Sequence, residues 1–329
     1  MDLVALKEAL AQREQPAFRL GQVWAWAARG AGGYAEMTDL PRALREELEH
    51  AVPFWRLEVE RESRARDGTL KLLMRTADER PIEAVLMRFG DGRRSICLSS
   101  QSGCPLTCRF CATGSMRFGR NLSVSEMLEQ ALALRQRSGG GALSNAVFMG
   151  MGEPMLNLEN VLEVCRRLPD LGITHRRIAV STVGWIPGIE QLAQSDMPVR
   201  LALSLHAPDE ALRTELMPVN ERFPLADVLA ACRDFYARRH RRVFVEYVML
   251  AGVNDRYEQA LQLARILDHE AFTVNLIPYN PTDGAFQGSS RGAIDAFRGA
   301  LEAQGVRATV RLTRGREIDA ACGQLAVSA

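Results

Sequence analysis

The chain has 329 residues, 47% of them hydrophobic and 25% charged, the balance of an ordinary globular protein with material for a substantial core. Its 41 Lys and Arg against 40 Asp and Glu leave a formal charge of +1, so no global field marks it for nucleic acid or a membrane surface. Seven cysteines, an amphipathic start (MDLVALKEALAQREQ), no signal-peptide pattern and apolar runs far below the roughly 20 residues of a membrane helix predict a reduced, cytoplasmic protein without a disulfide framework.

Taken in chain order, Leu3 to about Pro53 reads as helix in three pieces, LVALKEAL, FRLGQVWAWAARG and LPRALREELEHAV, a small helical module over residues 1–53. Residues 54–92 shift to period two in RLEVERES, TLKLLMRT and IEAVLMRF, with hairpin signals at Asp67-Gly68 and Asp91-Gly92, and form an antiparallel β extension. From 93 to 310 six strand-like runs, SICLSS, NAVFMGM, RIAVST, RLALSLH, VFVEYVML and TVNLIPY, alternate with amphipathic segments. Such alternation predicts α/β architecture with parallel strands, as an open sheet or a partial (β/α)6 barrel, and ligands at the carboxyl ends of the strands. Ser123-Val-Ser-Glu126 is a capping box for the helix after the first of these strands. Residues 311–329 are a C-terminal tail. The basic clusters at Arg176 and Arg177, from Arg238 to Arg242 and from Arg307 to Arg316 read, one at a time, as solvated helix ends and loop tips.

The stretch SQSGCPLTCRFCATG places Cys104, Cys108 and Cys111 between that first strand and the capped helix, at the ligand-binding edge. A structural zinc wants four ligands, and C-x3-C-x2-C offers three with no second Cys or His pair nearby. Thiolates suit iron-sulfur clusters, and a [4Fe-4S] cubane held by three cysteines keeps one iron open for chemistry. Cys165 and Cys232 occupy apolar positions of helices and are expected in the core. By residue type alone Cys97 is a small apolar strand residue, Cys322 a tail cysteine, His206 a loop histidine and the GEP after the second strand a turn. Glu83, a carboxylate within an apolar strand, must be paired, exposed or functional.

QSGCPLTCRFCATG, FGRNLSVSE, FMGMGEPMLN, STVGWIPGI, SLHAPDEALRTELMPVN, NLIPYNP and TRGREIDAACGQL together resemble the RlmN/Cfr family of radical S-adenosylmethionine RNA adenine methyltransferases, over nearly the whole chain. The resemblance implies a radical SAM barrel with a helical, RNA-binding accessory domain, a [4Fe-4S] cluster on Cys104, Cys108 and Cys111, and two S-adenosylmethionine molecules per turnover. Matching positions imply cofactor contacts at Gly152, Glu153, Ser181, Ser204, Leu205, His206 and Asn280. They make Cys322 the methyl carrier, Cys97 the resolving thiol that forms a transient disulfide with it, and Glu83 a proton acceptor. In the family the open iron is chelated by S-adenosylmethionine, whose reductive cleavage yields a radical able to attack carbon 2 of adenine, where ordinary methyl displacement fails. The implied substrates are 23S rRNA at adenine 2503 and tRNA at adenine 37. Flavodoxin or ferredoxin is the implied electron donor, and the chain is expected to be a monomer.

Two departures from the family pattern stand out, Met116-Arg117 where small or neutral residues are common and GREID in place of GDDID. The rival readings are a Cfr-type enzyme that methylates carbon 8 and confers antibiotic resistance, a non-catalytic iron-sulfur RNA-binding protein, and a radical enzyme acting on protein or small molecules. The TRG before the tail looks more like the carbon 2 branch. A paired Cys97 and Cys322 would be useless to a mere binder.

Overall fold

All six apolar runs after residue 93 become adjacent parallel strands in the computed structural model, which describes residues 1–282 and 286–325. The strands are β1 (Glu58–Arg64), β2 (Leu70–Arg75), β3 (Pro81–Arg88), β4 (Arg94–Cys97), the short pair β5 (Gln101–Ser102) and β6 (Arg120–Asn121), β7 (Asn145–Phe148), β8 (Ile178–Thr182), β9 (Arg200–Ser204), β10 (Val243–Met249), β11 (Phe272–Pro278) and β12 (Ala308–Val310). One sheet carries the order β1-β2-β3-β4-β7-β8-β9-β10-β11-β12. It is antiparallel up to β4 and parallel from there on. β1 and β12 are its two ends, so the barrel is partial and open on one side.

Ten helices among the described residues cover this sheet: α1 (Leu3–Gln12), α2 (Phe18–Arg29), α3 (Arg42–Ala51), α4 (Val124–Gln136), α5 (Leu158–Arg167), α6 (Ile186–Gln194), α7 (Glu210–Leu216), α8 (Leu225–Arg239), α9 (Tyr257–Ile266) and α10 (Arg291–Ala303). The capping box is present: the Ser123 hydroxyl accepts the Glu126 N–H, and Glu126 accepts from Ser123 N–H while also holding Arg120 at 2.7 Å. These contacts satisfy orphan donors of the first turn and place α4 directly behind the cysteine loop. No helix among the described residues is long and apolar enough to cross a membrane.

One apolar core runs from Leu6, Trp24 and Leu48 of the helical module through Leu72 and Leu86 of the β extension into Phe148, Val180 and Phe272 of the barrel. The β extension continues the barrel sheet through β3 and β4 rather than standing apart. Glu129 of α4 ties the module's exit to the barrel by accepting the Arg56 and Leu57 N–H groups at 2.7 and 2.8 Å. Edge strand β1, EVERESR, is mostly exposed, a charged edge of the kind that discourages pairing with other chains. Cys165 and Cys232 are fully buried in the core, as their positions predict. β12 is a seventh parallel strand beyond the six expected. Three residues with a single buried position are too short to show an alternation.

Candidate active site

The carboxyl ends of the parallel strands surround a cavity of about 940 Å³ that opens to solvent. Cys104, Cys108 and Cys111 line one wall of it, half-buried, with free thiols. The loop is folded tightly enough that a Cβ at Gly114 would stand 2.6 Å from the Cys108 carbonyl oxygen. Burial pushes the Cys104 thiol up to about 12 and those of Cys108 and Cys111 in the same direction. Three soft donors, with only the Arg213 charge opposing burial at Cys108, fit a cationic cluster, which would invert that preference and hold them as thiolates. Among the described residues no three Cys, His, Asp or Glu side chains are gathered as one ion would require. The donor set therefore suits a multi-iron cluster better than zinc.

Across the cavity lie Gly152, Glu153, Ser181, Ser204 and His206. Gly152 has φ +96°, and a Cβ there would fall 2.4 Å from Gln101 Cβ, so only glycine permits this approach. Glu153 is fixed by both carboxylate oxygens, Oε1 accepting the Met155 N–H and Oε2 the Val183 N–H, each at 3.0 Å. Burial raises its carboxyl to about 7. The Ser181 and Ser204 hydroxyls, on adjacent strands, are 3.4 Å apart. His206 Nδ1 accepts the Val248 N–H at 3.0 Å, and the ring meets Phe110 edge-on. Burial and then the Arg213 charge hold His206 down at about 3. It is neutral, with its proton on Nε2. Leu205 differs from its neighbours: its side chain is packed in the main core, and its backbone N–H and carbonyl are bonded to Glu246 and Ala207.

Behind this cavity a second, much smaller one is lined by Cys97, Cys322, Asn280, Met149 and Arg311. Cys322 and Arg311 line both cavities. Burial pushes the Cys97 thiol up to about 12, against the pull of Arg311. The Arg311 guanidinium lies 3.7 Å from Glu246 and is held protonated by the Cys322 sulfur and that carboxylate. Asn280 donates to the Cys322 carbonyl at 3.1 Å, and its own Oδ1 is buried without a partner.

Glu83 lines neither cavity. It is fully buried, and the cation beside it is lysine: Lys71 Nζ stands 2.9 Å from Oε1, while Oε2 has no hydrogen-bond partner. Burial raises its carboxyl, with Lys71 and Arg61 opposing. The register puts Lys71, Val85 and Cys97 side by side across β2, β3 and β4. Val85 and Cys97 pack on Ala320 and Leu325 of the tail, and Lys71 Nζ also donates to the Asp319 carbonyl at 3.1 Å. Sequence reasoning missed Lys71, Arg311 and Glu246. The signal used for Glu83, a charge inside an apolar strand, was available in LKLLM and VFVEYVML.

Residues 98–264 match the Radical SAM superfamily. Among curated proteins, the chain is 48% identical over 330 residues to the "Probable dual-specificity RNA methyltransferase RlmN" of Gemmatimonas aurantiaca, covering 98% of this chain and 90% of that one. The protein of the same name from Thermus thermophilus is 43% identical over 317 residues, covering 94% and 89%. A solved radical SAM methyltransferase from Sphaerobacter thermophilus superposes with a TM-score of 0.93 at 44% identity, over 98% of this chain and 97% of that one. Streptococcus suis SuiB bound to S-adenosylmethionine shares the fold, with a TM-score of 0.51 at 16% identity over 66% of this chain and 50% of that one. With its cysteine loop at the strand ends and relatives this similar over nearly their full length, the chain belongs to the radical SAM superfamily and, within it, to the RlmN family of RNA methyltransferases.

Proposed function

We propose that this enzyme methylates carbon 2 of an adenine in both 23S rRNA and tRNA, with Cys322 as methyl carrier and Cys97 as resolving thiol. The observation that carries the reading is the pair of adjoining cavities, one lined by Cys104, Cys108 and Cys111, the other by Cys97, and both by Cys322. A [4Fe-4S] cluster on the three cysteines, with two S-adenosylmethionine molecules per turnover and electrons from a flavodoxin or ferredoxin, would supply the methyl group and the radical. The protein is read as a cytoplasmic monomer.

The chain's own residues then have distinct tasks. Glu153, with both oxygens already fixed, presents a carboxylate to an ammonium group, and Gly152 keeps the neighbouring backbone open. Ser181, Ser204 and Asn280 offer polar atoms, and neutral His206 offers an Nε2–H donor. Leu205 contributes by filling the wall beneath its neighbours. Once the Cys322 sulfur is joined through its carbon to adenine, the Cys97 thiolate must form a bond to that sulfur as the sulfur–carbon bond breaks, the electron pair passing to the carbon, which gains a proton as C2 loses its own, leaving the methylated base and a disulfide. Arg311 favours the Cys97 thiolate that this step needs. Glu83, its carboxyl raised by burial and paired with Lys71 beside the tail, is the carboxylate assigned to accept the proton lost from the base, which reaches it through an intervening group because Glu83 lines neither cavity.

Cys97→Ala tests the reading: it should form the carbon bond to RNA and stall, giving protein that stays attached through denaturing electrophoresis and is released by nuclease. Mass mapping of RNA treated with the wild type should find 2-methyladenosine. Normal turnover by Cys97→Ala, or 8-methyladenosine as the product, would sink the assignment.

A further inference from the structure

Two arginine clusters far apart in the sequence meet at the amino-terminal edge of the barrel, opposite the cavities. Arg176 and Arg177 immediately precede β8, Arg200 opens β9, and Arg241 and Arg242 immediately precede β10. The parallel register places Arg200 beside Ala179 of β8, and Ala202 beside Phe244 of β10. Continued by two residues, it sets Arg242 level with Arg200. Strands about 4.8 Å apart thus present a row of guanidinium groups roughly 10 Å long. Arg239 joins it from the end of α8, where it donates to the Ser195 and Met197 carbonyls at 2.8 Å each.

The charge in this row is not balanced from within. Arg176, Arg177 and Arg200 are exposed, and none of the six arginines has an ion pair. The nearby carboxylates Asp196 and Asp268 are engaged by Arg166 and Arg233, and Glu270, just before β11, bounds the row on that side. Arg242 Nη1 is buried without a partner. Burial and the like charges of Arg176, Arg200 and Arg239 depress the Arg241 guanidinium, so the side chains are close enough to repel. A row of guanidinium groups with no carboxylate partner among the described residues favours a polyanion, even though Arg200 also stacks on Phe244 and Arg239 is held by main-chain carbonyls.

Its surroundings indicate which polyanion. The helical module docks beside it, with Trp24 of α2 donating to Asp170 at 2.7 Å, a few residues before Arg176. That module carries six Lys and Arg against eight Asp and Glu over residues 1–53, so the row adds positive charge that the module's own balance lacks. The strands between the row and the cavities are up to seven residues long, roughly 20 Å, too far for a nucleotide flanking the target base. The body of a large folded RNA is long enough to reach both.

We infer that the row formed by Arg176, Arg177, Arg200, Arg241 and Arg242 is a second RNA contact, binding phosphates of the substrate's folded body while the target adenine occupies the cavity. It rests on the reading of the enzyme as an RNA methyltransferase. It sets affinity for long RNA and contributes no sequence readout, because guanidinium groups on phosphates position without specifying bases.

The test uses cluster-loaded full-length protein, full-length tRNA transcript and a 23S rRNA fragment. Arg176→Ala/Arg241→Ala should weaken binding by roughly tenfold or more, as the loss of charged hydrogen bonds implies, and raise KM for these RNAs. It should reduce the slope of log affinity against log salt by about 2. Arg176→Lys/Arg241→Lys, which keeps the charge, should restore most of the slope. Unchanged affinity and slope in the alanine variant would overturn the inference. So would unchanged RNA binding with a raised KM for flavodoxin, which would assign the row to an acidic protein. A wild type that methylates neither RNA would instead defeat the parent reading.

Discussion

Replacing Lys71 by Met keeps the bulk of a buried side chain and removes the charge that joins Glu83 to the tail. Lys71 Nζ is 2.9 Å from Glu83 Oε1 and 3.1 Å from the Asp319 carbonyl, and both side chains are shielded from water. Removing one partner of a buried pair typically costs about 3–5 kcal/mol, because the other charge is left uncompensated. Glu83 can escape part of that cost by taking a proton. Its carboxyl is already raised by burial, and loss of the ammonium raises it further. A carboxyl whose folded value lies above its unfolded one stabilises the fold fully below the unfolded value and loses that contribution as pH rises through the folded one. The Lys71→Met penalty should therefore be small near pH 5 and approach the full figure near pH 8. The check is urea unfolding of wild type, Lys71→Met and Lys71→Met/Glu83→Gln at both pH values, with alkylation of Cys322 reporting on the tail. The double variant should recover most of the loss at pH 8, and Cys322 should label faster in the single variant. Equal unfolding midpoints at both pH values, with unchanged labelling, would refute the reasoning.

Three further outcomes follow from the site. Gly152→Ala must adopt a positive φ and meet Gln101, whose Oε1 accepts the Glu153 N–H at 2.8 Å, so S-adenosylmethionine affinity measured by equilibrium dialysis should fall at least about tenfold. Arg311→Met removes the influence that lowers the Cys97 thiol, so the pH needed to alkylate Cys97 should move upward, as read by mass spectrometry; an unchanged profile would remove Arg311 from the proposal. Anaerobically reconstituted protein should hold about four irons, and alanine at Cys104, Cys108 or Cys111 should abolish them in iron and sulfide assays.

Most of the parallel strands were legible because they are largely buried and read as short, mainly apolar runs, such as IAVST, RLALS or VFVEYVM. The cysteine loop was legible because its position after the first such strand fixes which end of the sheet it occupies. The tail's attachments were not. Ala112 N–H to the Gly323 carbonyl, Thr113 to the Leu325 carbonyl and Gln324 to the Pro281 carbonyl are bonds to main-chain oxygens, two of them over 200 residues apart, and main-chain acceptors leave no trace in residue type. The convergence of Arg176 with Arg241 was equally hidden. Each cluster alone resembles a solvated helix end, and only the parallel register brings them together.

The topology also accounts for the β extension. The sheet is open between β12 and β1, and the tail begins directly after β12. It makes polar contacts on the other side of the opening, where Gly315 N–H bonds Asp67 at 3.1 Å in the β1–β2 turn, Arg66 N–H bonds Glu317 and Lys71 holds the Asp319 carbonyl, before Cys322 to Leu325 bond back to the barrel. The tail therefore crosses the open side of the barrel, and β1 to β3 are the far bank on which it lands. Among the described residues, apolar burial anchors it at Ala320, Ala321 and Leu325, with Ile318 packed alongside. The rest depends on hydrogen bonds worth about 1 kcal/mol each, which can break singly without disturbing the core. A segment held in this manner suits the carrier role proposed for Cys322, which requires it to serve one cavity for loading and the other for resolution while the barrel behind it stays fixed.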